Sequence, residues 1–156
     1  MSKVRRIACI GSREISSELS GHLANIGRLI AQKGWFVSSG NADGSDCSFA
    51  RGANAIDPTK VILYLPWRKY NDQNIVAGNR VTWEIKPEWV EPARRNHAIY
   101  DSLGQGVQKL MCRNIGILWK ADACLAVLNH SKKGLGGTGQ GWRYAGSFPK
   151  ALTRRK

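Results

Sequence analysis

The feature that most restricts the fold is an alternation of period along the chain. Residues 4–13, "VRRIACIGSR", are a short apolar run ending in Gly-Ser-Arg, the pattern of a buried strand opening into a loop. The next segment, "ISSELSGHLANIGRLIAQKG", sets Ile15, Leu19, Leu23, Ile26 and Ile30 at steps of four and three. That spacing predicts one apolar helical face, stopped by Gly34. "WFVSSG" (35–40) reads as a second strand, residues 45–55 as a second helix, and "VILYLPW" (61–67) as a third strand closed by Pro66. Helical spacing returns over 107–118, with Val107, Leu110, Met111, Ile115 and Leu118. "ACLAVLN" (123–129) is a further buried strand, and "HSKKGLGGTGQGWRYA" a glycine-rich loop running into a short helix.

Strand–helix–strand–helix–strand predicts an α/β fold: a mostly parallel sheet with helices on both faces. The 156 residues match one domain, 1–156, with a single core. Residues 68–106 hold Trp83 and Trp89 but little periodicity. So long a connection is expected to be a lid or side excursion, its tryptophans equally suited to packing on a sheet edge. No apolar run approaches the ~20 residues of a membrane span. "MSKVRR" leads straight into a strand without a signal peptide, so a cytoplasmic location is expected. Cys9, Cys47, Cys112 and Cys124 lack CxxC or CxxH spacing, which predicts four free thiols in a reducing compartment and no metal.

Ligands of open parallel sheets bind where the carboxyl ends of strands pass into helices. Three loops here hold that position: "GSR" (11–13), "SGNADGSD" (39–46) and "GLGGTGQG" (134–141). Glycines let backbone N–H groups approach an anion, and helix N-termini add partial positive charge. With Arg13 and the Lys132/Lys133 pair beside them, the loops describe a phosphate cradle. Neither GxGxxG after the first strand nor GxxxxGK[ST] is present, which disfavours an ordinary dinucleotide dehydrogenase or P-loop ATPase. Lys plus Arg number 24 against 11 acids, a formal net charge of +13, and such an excess favours polyanions. No Ser–His–Asp or Cys–His pairing stands at informative spacing, and His22 and His97 have no evident partner.

"IGSR", "SSGNADGSDCSFARGA", "LPW", the Arg113–Asn114 pair and "GGTGQGWRYA" together resemble the SLOG superfamily, which unites DprA (Smf) with the Lonely Guy (LOG) proteins. The order of motifs covers residues 6 to 146 and is most similar to small stand-alone DprA-like proteins of phages, whose setting would be the host cytoplasm. The resemblance implies a Rossmann-like sheet with a nucleotide or nucleic-acid phosphate over the glycine loops. Gly11, Ser12 and Arg13 match the first phosphate-facing motif, and Ser39, Gly40, Gly44 and Asp46 the second. Arg113 and Asn114 match the Arg-Asn pair of DprA, and Gly136, Gly137, Thr138 and Gly139 the last loop. Asp46 either caps the following helix or accepts from a ribose hydroxyl.

The sequence departs from the family at informative places. The LOG hydrolases carry a glutamate after their PGGxGT motif, whereas here Leu135 replaces the proline and Arg143 stands at the glutamate's place. That leaves the loop no acid or base for N-glycosidic hydrolysis. The flanking domains of DprA have no counterpart in these residues. The usual final strand gives way to a basic tail, 147–156.

The chain is therefore expected to be a non-catalytic binder of single-stranded DNA, with Trp67, Tyr70 and Trp142 as stacking surfaces. The small domain offers little groove, so such a role calls for a homo-oligomer. The alternative is a sensor or sponge of a free cyclic or ADP-ribose-derived nucleotide, and a LOG-type phosphoribohydrolase ranks third. No cofactor beyond such a nucleotide is implied.

Overall fold

The four-and-three spacing between Leu19 and Ile30 becomes helix α1 (Ser17–Gln32), for which Ser16 is the cap, its Oγ accepting from the Leu19 N–H at 3.1 Å. Gly34 follows it with φ +72°, the left-handed conformation that ends helices at low cost in glycine. In the computed structural model, residues 3–128 and 136–146 are described. Their remaining elements are β1 (Arg6–Gly11), β2 (Phe36–Ser39), α2 (Ser45–Asn54), β3 (Val61–Tyr64), β4 (Arg80–Thr82), α3 (Val90–Arg95), α4 (Gln105–Leu118), β5 (Ala123–Val127) and α5 (Gly137–Ala145). The chain forms a single α/β domain.

All five strands pair in parallel, in the order β4-β3-β2-β1-β5. Strand side chains alternate between faces, so β1 divides its residues. Ile7 and Cys9 join Val37, Val61, Leu63 and Phe49 under α1 and α2. Ala8 and Ile10 join Ile117, Leu118 and Ala145 under α4 and α5. Helices α1 and α2 cross backbone to backbone, because a methyl group on Gly27 would strike the Phe49 carbonyl and one on Gly52 the Ala24 carbonyl. The paired serines of "VSSG" are both buried in β2, where Ser38 Oγ donates to Ile117 O at 2.6 Å and Ser39 Oγ to Cys9 O at 2.8 Å.

Strand β4 belongs to the 68–106 segment and escapes the pattern reading, since three residues are too few to show an alternation. Its place comes from pairing, Ile62 with Arg80 and Tyr64 with Thr82. The same segment buries Trp89 edge-to-face against Tyr64, at 6.0 Å between ring centroids, and close against Gly116 of α4. Among the described residues no helix is long and apolar enough to cross a membrane. The expected Lys132/Lys133 pair, Leu135 and the basic tail lie outside the described residues.

Candidate functional site

At the carboxyl edge of the sheet, the loop after β1 is held by the loop after β2. The Ser12 carbonyl accepts from both Ser45 N (3.1 Å) and Ser45 Oγ (2.8 Å), and Ser12 N donates to Val127 O of β5 at 2.8 Å. Gly44 makes this contact possible. Its φ is +81°, and a Cβ there would run into the Arg13 backbone. The middle loop is anchored in turn by Asn41, buried and left-handed at φ 59°, whose Nδ2 donates to the carbonyls of Tyr70 and Asn71 at 3.1 and 2.9 Å.

Between these loops, α4 and the start of α5 lies a cavity of about 240 Å³. Its polar wall is Gly11, Ser12, Arg13, Asp46, Arg113, Asn114 and Gly136 to Gly139, and its apolar wall includes Ile10, Leu110, Met111 and Leu128. The site residues expected from the sequence thus divide. Gly11, Ser12, Arg13, Asp46, Arg113, Asn114, Gly136, Gly137, Thr138 and Gly139 line one cavity. Ser39, Gly40 and Gly44 stand behind its wall: Ser39 spends its hydroxyl on Cys9, Gly40 makes room for Arg113, and Gly44 supports Arg13. Trp67 and Trp142 are exposed and do not line it.

The electrostatic centre is a buried pair that no local sequence signal announces. Arg113 of α4 is almost wholly buried, donating through Nη1 to Gly40 O and, at 3.2 Å, to Tyr64 O. Burial lowers its pKa, opposed by the nearby Asp46 carboxylate and Tyr70. Asp46 is buried too, and burial pushes its carboxyl up to about 6 against the pull of Arg113 and the backbone N–H groups of Ala42, Gly40 and Gly11. Asp46 therefore ties β1 and the middle loop to α4 rather than capping α2, whose N-cap, Gly44, has no side-chain hydrogen bond. Arg13 lies close enough to Arg113 to lower its pKa, and enters none of the ion pairs among the described residues. Two guanidinium groups facing one enclosed carboxylate leave the cavity positive.

Asn114 extends the network. Its Oδ1 accepts from Arg113 Nε (3.2 Å), and its Nδ2 donates to Gly137 O (3.2 Å) and Gln140 Oε1 (3.3 Å). Buried Gln140 then donates to Ala93 O of α3 at 2.9 Å, so α3, α4 and α5 share one polar seam. The N-terminus of α5 opens on the cavity with Gly136 as its cap and, among the described residues, no side-chain cap hydrogen bond. Arg143 turns to the surface and donates through Nε and Nη2 to Asn96 O at 3.0 and 2.8 Å.

Nucleophiles are poorly prepared here. Ser12 Oγ donates to Glu14 O. All four cysteines are unpaired, and burial pushes the Cys47 thiol up to about 11 and the Cys124 thiol up to about 12, so both stay protonated near neutral pH. Among the described residues, no group of three or more His, Cys, Asp or Glu side chains gathers where a metal could sit.

No protein-family model matches the chain, and no curated protein matches it significantly. Among solved structures it is similar to DNA processing protein A from Helicobacter pylori, described for its unique single-stranded DNA binding mode. The two superpose with a TM-score of 0.60 at 17% identity, over 97% of this chain and 66% of that one. At that identity the likeness is one of fold.

Proposed function

We propose that this protein binds single-stranded DNA without chemically altering it, holding a backbone phosphate in the cavity between Arg13, Arg113 and the N-terminus of α5. The observation that carries this reading is the charge arrangement of the cavity. Two guanidinium groups and the N-terminus of a helix converge on it, with one enclosed carboxylate in opposition. The net charge of +13 supplies long-range attraction for a polyanion. The likeness to a single-stranded-DNA-binding protein and the resemblance to the SLOG superfamily support the same choice.

The cavity's size also favours a polymer. About 240 Å³ is less than the ~300–1,000 Å³ that engulfs a drug-sized ligand, and suits one phosphate–sugar unit of a longer chain. Hydrolysis is disfavoured because Asp46 Oδ2 is engaged by the N–H groups of Gly40 and Ala42, and Arg143 offers no carboxylate. The free-nucleotide reading draws on the apolar wall of Leu110 and Met111, against which one base could lie.

Fluorescence anisotropy of a labelled single strand across a salt series tests the proposal. The logarithm of affinity should fall linearly with the logarithm of salt, by about 0.7 per phosphate contacted. Binding that ignores salt, with a mononucleotide raising Tm instead, would favour the free-nucleotide reading.

A further inference from the structure

Residues 68–106 contain two tryptophans that part company. Trp89 is 3% exposed and packed in the core, whereas Trp83 is 49% exposed; Trp67, just before the segment, is 40% exposed. The two exposed indoles follow the neighbouring strands β3 and β4, on the edge of the sheet that carries the cavity. Large aromatic rings left partly in water near one another's neighbours mark an interaction surface more often than a packing accident.

Ring contacts and one peptide link lead from the cavity to them. The Arg113 guanidinium, which lines the cavity, lies 5.4 Å from the Tyr70 ring centroid. Tyr70 meets Trp67 edge-to-face at 5.3 Å. The next residue, Arg68, sits 5.7 Å over Trp83. Arg68 supplies a cation against Trp83, with Lys69 next to it in the chain and Glu84 next to Trp83. The start of α4 adjoins the same place, with no side-chain cap and with Gly106 facing the Trp67 ring.

We infer that Trp67 and Trp83 form a base-stacking ledge along which a single strand leaves the cavity, so that the site selects strands of several nucleotides over a mononucleotide. This rests on the phosphate reading of the cavity and extends it. Every base offers a π-face, so the ledge accepts any sequence, while its cations meet the intervening phosphates. Each stacked base should tighten binding between roughly fivefold and a hundredfold.

The test compares a labelled oligothymidylate of about twelve nucleotides with thymidine monophosphate as competitor, on the full chain. Wild type should prefer the oligonucleotide strongly. Trp83→Ala should weaken the oligonucleotide by at least fivefold and leave the mononucleotide unchanged, and Trp83→Phe should restore most of the loss. Trp67→Ala should behave like Trp83→Ala, while Arg13→Ala should weaken both ligands. Equal affinity for the two ligands in wild type, or oligonucleotide binding that depends on Arg13 and ignores Trp83, would overturn the ledge and leave the cavity's role standing. Failure of both ligands to bind would overturn the two proposals together.

Discussion

The two faces of the sheet are built from similar helices and do different work. Under α1 and α2 the contact is apolar and tight, with Gly27 and Gly52 letting the two backbones touch. Under α3, α4 and α5 a buried seam of Arg113, Asn114 and Gln140 runs among the apolar residues, and Asp46 reaches it from the first turn of α2. The first face is closed to added atoms, and the second is joined by paired polar groups. The cavity thus sits on the face where polar groups are already committed to one another, so its donors are held in place beforehand.

Removing one partner from the polar seam should have the largest effect. Arg113→Met leaves Asp46 buried without its cation and should cost about 3–5 kcal/mol in urea unfolding, together with oligonucleotide binding. On the apolar face, Gly52→Ala forces α1 and α2 apart and should cost about 1–3 kcal/mol, yet the folded fraction should bind as wild type does. Equal loss of binding in both variants would erase the distinction between the faces.

A smaller effect follows from Asp46. Burial raises its folded pKa to about 6, above the ordinary 3.8, so the folded state holds the proton longer. Stability from this group is complete at low pH, is lost as pH rises from about 4 to about 6, and then levels, a change on the order of 3 kcal/mol. Asp46→Asn should flatten that part of the unfolding profile. The same proton governs the cavity's charge: neutralising Asp46 leaves Arg113 unopposed, so oligonucleotide affinity should rise about tenfold as pH falls through 6. Asp46→Asn should hold the higher affinity at pH 7.5. Smallest of all, Ser16→Ala removes the α1 cap and should cost about 1 kcal/mol with binding untouched.

Much of this architecture is legible in the order of residues, because periodicity is a local property. Leu19 to Ile30 announces α1, and the alternation of Ile7 and Cys9 with Ala8 and Ile10 announces a strand covered on both faces. Strand β4 is not legible, since Arg80–Thr82 becomes a strand only by pairing with β3. In the site, the glycine loops and the Arg113–Asn114 pair are visible as motifs, but their division of labour is not. Ser39 and Gly40 look like ligand residues until β2 turns the hydroxyl toward Cys9 and brings Arg113 beneath Gly40. The pairing of Asp46 with Arg113 joins residues far apart in the chain, and Asn41 earns its place through the carbonyls of Tyr70 and Asn71. Only tertiary contact reveals either.

The most direct test of the central claim is anisotropy of a labelled single strand with wild type and Arg13→Ala, at low and near-physiological salt. Arg13 is exposed and outside the buried seam, so its loss should leave the fold intact. The account predicts submicromolar binding that weakens with salt, a roughly tenfold loss in the variant, and a salt slope shallower by about 0.7. Binding equally tight in both proteins, with the same slope, would contradict it.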